Sequence, residues 1–498
     1  MAMITGDCLR ALVLGAFLAT MTPGSDAWAQ ALSAPSFTTP EAAAYWKTSA
    51  AGDVEAAYRL LRDNHPGAAP EADDPAFRRE LETAHATAAT RASKVVSLQG
   101  YDAVMAGFAN SFGDKHLRSI PFLELSRPDW AGVIIGKRGI HWMVVDAEAG
   151  TPETALMGAE LTSCDGRTPE SWGAEVLGGF RADWSVDAQK VQTAPWLLLS
   201  EGNPFIARPS HCVFAKDGKA QDHALNWRPI VRAQLDTRLP KASTFGAAGY
   251  GVRRVGAGYW IAVQRLMEGA EPVVAAVKAQ ATEIRAARFV VLDLRGNGGG
   301  SSIYGAQIAR EVFGPDREKA LEDDHPSQCG GDVFRATSGN IATFQSRLDQ
   351  GLVGHDPEVV DYLKTSIADM KRAQAAGQPF TGRVRCPTAA KAALPPSLFK
   401  GKVYILTDGV CFSSCLAVVE TWLKLGAIQI GQPTDANTHY TVVHDDLMPS
   451  GLSTFSSMLA LAPSLPPRLG PFVPTIVHAG DIADTPALEK WVLSLSAR

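Results

Sequence analysis

The sequence has no C-x-x-C pair and no H-E-x-x-H helix, the spacings that gather thiolates or imidazoles around zinc. No metal is therefore expected. Its 47 Lys+Arg are outnumbered by 52 Asp+Glu, leaving a net charge of −5, and no basic run interrupts that balance. Phosphate backbones are held by basic stripes, so a nucleic-acid partner is not expected. Beyond residue 30 no apolar stretch is long enough to span a bilayer. The glycine-rich segment Asp293-Leu294-Arg295-Gly296-Asn297-Gly298-Gly299-Gly300 lacks the Lys-Ser/Thr of a phosphate loop. The third glycine of a dinucleotide fingerprint falls on Ser301. No organic cofactor is expected either.

What is present is a chain of 498 residues of ordinary globular composition, 20% charged and 46% hydrophobic. That length gives room for about three domains. Residues 1–29 read as a secretory signal. Arg10 precedes the apolar stretch Ala11 to Met21, and Ala27-Trp28-Ala29 forms a small-x-small cleavage site. The expected location is periplasmic or secreted. Cysteine usage agrees: once Cys8 leaves with the signal, six remain, an even count that fits disulfides in an oxidising compartment. Pairing neighbours gives Cys164–Cys212, Cys329–Cys386 and Cys411–Cys415.

Three regions differ in pattern. Residues 37–125 are helical: Val54, Ala57, Leu60 and Leu61 keep a helical spacing, a second helix runs from Pro75 to Ala92, and a third from Tyr101 to Phe112. Residues 130–235 carry short β-type runs. There the segment Gly158 to Gly166 resembles the strand and Asp-Gly turn of a PDZ domain, which implies a module binding peptide ends by β-augmentation. Residues 250–498 alternate strand and helix, with buried strands at Phe289 to Leu294 and Val403 to Leu406, and read as a layered α/β core. Residues 314–400 are an insertion in it.

Two strand-to-helix turns in that core have chemical potential. In the first, Asp293 to Gly300, consecutive glycines let backbone N–H groups approach a ligand beside a helix N-terminus, an oxyanion site or simply a tight turn. In the second, Asp408-Gly409-Val410-Cys411-Phe412-Ser413-Ser414-Cys415, Ser413 is either a helix N-cap or a nucleophile presented at a strand end. A serine nucleophile needs a base. Spacing alone leaves His116, beside Asp114, and His439 both open.

These segments resemble the tail-specific protease and tricorn family of serine peptidases. Asp293 to Gly300 is similar to the family's D-L-R-x-N-x-G-G turn and Phe412-Ser413 to its nucleophile turn. Gly431-Gln432-Pro433-Thr434 is similar to its G-E-P-T. The resemblance implies a crotonase-like (ClpP/crotonase) α/β peptidase core, Ser413 as nucleophile, and an oxyanion hole from Ser414 with Gly299 or Gly300. The substrate would be a polypeptide, including unstructured C-terminal ends.

Where tail-specific members place a lysine base the chain has Asn437, whereas Asp114-Lys115-His116 fits the D-x-H segment of tricorn-like members. His116 is therefore the implied base. The family's orienting glutamate has no counterpart, since no Glu lies between Asp445 and Ala487. Asn437 or Asp435 is the expected substitute, or the site is a dyad. Cys411 and Cys415 flank Ser413 either as a disulfide stiffening the turn or as two small buried residues. A non-catalytic peptide-binding protein on a peptidase scaffold is the competing function.

Overall fold

A computed structural model of the chain describes residues 39–123, 127–323, 331–350, 357–386 and 393–497. The signal segment 1–29 and Cys329 lie outside them. No helix among the described residues is long and apolar enough to cross a membrane.

Near-continuous apolar runs build the central six-stranded sheet, because parallel strands are covered on both faces. Its order is Tyr250–Val255, Gly258–Val263, Phe289–Asp293, Lys402–Thr407, Ile428–Gly431, Ile476–Val477. The first pair is antiparallel and the remaining pairs are parallel. One face packs Ile261, Leu292 and Ile405 against Val273, Ile308 and Val419 of the helices Glu271–Ala279, Ile303–Phe313 and Ser414–Lys424. The other packs Trp260, Val291 and Leu406 against Leu488 and Val492 of the C-terminal helix Thr485–Ser496. The result is a helix–sheet–helix sandwich, a mixed α/β architecture.

The N-terminal helices are Thr39–Asn64, Pro75–Ala92 and Leu98–Asn110. The second starts where expected, with the Asp74 carboxylate accepting the N–H of Phe77 at 2.9 Å as its cap. The third begins earlier than periodicity predicts because Ser97 caps it through the N–H of Gly100.

These helices do not close a core of their own. Val54, Leu61, Tyr101 and Phe108 share one apolar cluster with Phe455, Met458 and Leu461, which come from a distant antiparallel sheet. That sheet is centred on Ser453–Leu461, paired with Tyr440–Leu447, Ser119–Pro121 and Val333–Phe334. Buried Asp53 ties the two parts together, accepting from Tyr101 Oη at 2.6 Å and from the N–H of Ser450 at 3.0 Å. Sequence periodicity sees each helix but not the strands it leans on. The expected insertion is likewise drawn into this sheet through Val333–Phe334, and also carries helices Ser338–Asp349 and Pro357–Ala375.

Residues 133–224 form a five-stranded antiparallel sheet, Val133–Arg138, His141–Ala147, Glu160–Cys164, His211–Lys216, Lys219–Ala224, with the helix Pro169–Val176 against it. Cys164 and Cys212, cross-strand neighbours, are disulfide-bonded. The turns Ala194–Leu197 and Leu239–Ala242 pack against Val133–Arg138, the first beside Val133 and Ile135 and the second beside Ile134, and Arg138 donates to the carbonyls of Lys241 and Ala242 at 2.9 Å each. The opposite edge, Lys219–Ala224, faces solvent.

Candidate active site

The sheet register Asp293↔Leu406 brings the two chemical turns out side by side at the carboxyl ends of adjacent parallel strands, where α/β sheets place their ligands. Asp408 pins them together. Its Oδ2 accepts the N–H groups of Gly246 at 3.0 Å and Gly296 at 2.9 Å, and its Oδ1 that of Val410 at 3.0 Å. Burial pushes this carboxyl up to about 7, against the pull of those three N–H groups. Asn297, fully buried, donates to the carbonyl of Val263 at 2.8 Å and accepts the N–H of Gly299 at 2.9 Å. Beneath them Arg295 and Asp293 form a buried ion pair at 2.6 Å, and Arg295 also donates to the carbonyl of Ile482.

Two positions in the first turn require glycine. A Cβ on Gly300 (φ 132°) would lie 1.9 Å from the carbonyl oxygen of Leu266, and one on Gly299 (φ 107°) 2.8 Å from Ser413 Cβ. The close approach at Gly299 is what brings the turn against the serine.

Ser413 sits at φ 59°, ψ −129°, backbone that a side-chain-bearing residue adopts only when its surroundings enforce it. It occupies the N-cap position of the helix Ser414–Lys424, yet its hydroxyl makes no capping bond. Instead Ser413 Oγ lies 2.9 Å from His116 Nε2. The enforcing elements are Ser414 Oγ, which donates to the carbonyl of Gly300 at 2.5 Å, and the Cys411–Cys415 disulfide, both of whose cysteines are fully buried. Of the two readings of these cysteines, the structure takes the disulfide. Cys386 is also disulfide-bonded, its expected partner being outside the described residues.

His116 arrives from the other side, in the turn after the helix Leu98–Asn110. Its Nδ1 lies 2.8 Å from Asp114 Oδ1, which also accepts the backbone N–H of His116 at 2.9 Å. Thr438 donates its hydroxyl and, at 3.2 Å, its N–H to Asp114 Oδ2. Burial opposes ionisation of Asp114, but His116 and these donors outweigh it and hold the carboxyl well below the usual carboxylate range. The Phe412 ring packs on the His116 ring at 4.6 Å.

Neither Asn437 nor Asp435 is what faces His116 Nδ1; Asp114 is. Asn437 makes no hydrogen bond to His116 among the described residues, because the only ring nitrogen not facing Ser413 already faces Asp114. Asp435 is engaged elsewhere: it is fully buried and accepts from Lys115 Nζ at 2.9 Å, Gln189 at 2.8 Å and Gln192 at 3.2 Å. Asp114 stands in the D-x-H segment itself. The signal was its offset of two residues, which lets one carboxylate hold both the backbone N–H and the ring of the same histidine. His439 is turned against Tyr440, with ring centroids 4.8 Å apart, and burial lowers its affinity for a proton.

A cleft of about 280 Å³ opens beside Ser413 and His116, walled by Ala417, Met458, Leu465 and Leu469. Asn437 lines it, and its buried Oδ1 meets no hydrogen-bond donor among the described residues. At the serine, the N–H of Ser414 opens a helix and so has no intrahelical acceptor. The N–H of Gly299 is committed to Asn297.

No protein-family model matches the sequence, and no curated protein matches it. Among solved structures, mature CPAF aligns with a TM-score of 0.58 at 14% identity, covering 91% of this chain and 98% of that one. The chain has the fold of mature CPAF. A structure of mature CPAF complexed with lactacystin matches equally, with a TM-score of 0.57 at 14% identity and 91% and 99% coverage. Because the CPAF overlap takes in nearly the whole chain, the likeness is not confined to one sheet. The photosystem II D1 C-terminal processing protease aligns more distantly, with a TM-score of 0.31 at 14% identity over 86% of this chain and 93% of that one.

Proposed function

We propose that this chain is an exported serine peptidase of the tail-specific protease and tricorn type, with Ser413 as nucleophile, His116 as general base and Asp114 as the group that orients and charges the base. The observation that carries the reading is the continuous line Asp114 Oδ1–His116 Nδ1–His116 Nε2–Ser413 Oγ, with contacts of 2.8 and 2.9 Å. His116 Nε2 takes the hydroxyl proton as Ser413 Oγ attacks the substrate carbonyl. The carbonyl oxygen becomes an oxyanion, held by the N–H groups of Ser414 and Gly300, since that of Gly299 is given to Asn297. His116 returns the proton to the leaving amine, and water then repeats the cycle on the acyl-enzyme. Asn437 Oδ1, which meets no donor among the described residues, would accept an N–H of the bound substrate strand.

Export is supported by the signal-like N-terminus and by the disulfides. Binding of peptide ends by the module at residues 130–235 would use a strand edge, and the exposed strand Lys219–Ala224 offers one. A fluorophosphonate probe tests the central reading, since only an activated serine reacts. Wild type should be labelled and Ser413→Ala should not, with His116→Ala slowed by at least about 10³-fold. A wild type that stays unlabelled would favour the non-catalytic peptide-binding reading.

A further inference from the structure

A second cavity, of about 480 Å³, lies between the helix Leu98–Asn110 and the helix Pro169–Val176, and neither Ser413 nor His116 lines it. Its walls are apolar and aromatic: Trp172, Val176, Phe180, Trp196, Ile206 and Trp227. Five charged side chains also line it, and four of them are matched. Arg181 pairs with Glu201, Arg232 with Glu201 at 3.6 Å and Asp236 at 3.1 Å, and Arg208 with Asp129 at 2.6 Å. Two of the arginines also lie over indole rings, Arg181 on Trp196 at 4.0 Å and Arg208 on Trp227 at 5.3 Å.

The fifth is Asp102. Its Oδ1 is buried and meets no hydrogen-bond donor among the described residues. Trp172, 1% exposed, lines the same cavity with its indole N–H likewise lacking an acceptor.

We propose that this cavity binds an ammonium group carried on an apolar or aromatic skeleton, with Asp102 as its counter-ion. A carboxylate oxygen buried without a donor in an aromatic-walled cavity costs stability unless something satisfies it. A cation satisfies it twice, through the carboxylate and through the negative faces of the surrounding rings. An anion is the wrong ligand, because every lining arginine already has its acid. The volume suits an aralkylamine or a lysine side chain with an apolar neighbour.

The unmet charge also sets a pH dependence. Burial, with a smaller push from Glu201, raises the Asp102 carboxyl to about 7.

The test is calorimetric titration of the full chain with phenethylamine and with 2-phenylethanol, its neutral isostere. The amine should bind at least tenfold more tightly than the alcohol. It should also bind about tenfold more weakly at pH ~6 than at pH ~8, since protonated Asp102 must first lose its proton. Asp102→Asn should erase the amine's advantage while keeping a cooperative thermal transition. Equal binding of amine and alcohol by wild type overturns the proposal without recourse to any variant, as does an Asp102→Asn protein that keeps the preference. A doubly blocked Phe-Lys-Phe peptide, titrated in the Ser413→Ala background, separates a polypeptide lysine from a free amine by whether it displaces phenethylamine. Fluorophosphonate labelling of Ser413 is a separate readout, so this proposal and the peptidase reading fail independently.

Discussion

Replacing Asp114 by asparagine keeps the shape of the side chain and removes its charge, which isolates what the carboxylate does for His116. The two side chains are 3% and 10% exposed, with Oδ1 and Nδ1 2.8 Å apart. For charges centred about 4 Å apart in such a setting, an effective dielectric near 20 gives about 4 kcal/mol. That energy is realised only when the imidazolium forms, so it comes off the barrier and not off binding. At about 1.4 kcal/mol per decade it amounts to roughly a thousandfold. The asparagine amide adds to the loss, because an NH2 facing Nδ1 favours the tautomer that leaves Nε2 protonated and unable to accept from Ser413.

The expected result is a fall of about 10³ to 10⁴ in the second-order rate of fluorophosphonate labelling and in peptide kcat/KM. Asn437→Ala should lose less than about tenfold, since it touches only the substrate side of the site. Folding is checked by thermal unfolding. The Asp114 carboxyl is depressed in the folded state, so its stabilisation is present at neutral pH and is lost as the pH falls below its unfolded value toward its folded one. The Tm gap between wild type and variant should therefore close in acid. Labelling of Asp114→Asn within about threefold of wild type, or an equal loss in Asn437→Ala, would refute the assignment of the third member.

Two further outcomes follow from the turns. Gly300→Ala drives a methyl group into the Leu266 carbonyl. It should cut labelling by about 10² or more by displacing an oxyanion donor, even though Ser413 and His116 are untouched. Full-rate labelling of that variant would remove Gly300 from the hole. Removing the Cys411–Cys415 bridge by a double Ala substitution reopens a five-residue loop, which costs about 2 kcal/mol by loop-closure entropy. It should lower Tm and slow labelling together; an unchanged labelling rate would mean the bridge stabilises the fold without holding Ser413.

Much of the core was readable because its signals are local. Apolar runs mark the strands Phe289–Asp293 and Lys402–Thr407, and glycines that cannot be anything else mark the turn beside Ser413. His116 emerged from a motif and not from spacing, which left His439 equal. Asp114 was in view but unassigned, because the two-residue offset that lets its carboxylate curl back over its own backbone marks the histidine without saying which group orients it. The sharing of one core by Phe108 and Phe455 was invisible for a related reason: an amphipathic stripe says that a face is buried, not against what. The charge-matching around Asp102 is the hardest case, since it is a property of five segments at once.

Ser413 and His116 stand 297 residues apart in the chain, and the helices that lead to His116 close their core against strands near residue 455. A partly threaded polypeptide that lacks those strands leaves the N-terminal helices without the apolar partners of their core. On the proposed function, hydrolysis would wait until the strands near residue 455 have joined the fold, so the compartment in which the chain folds would set where activity first appears.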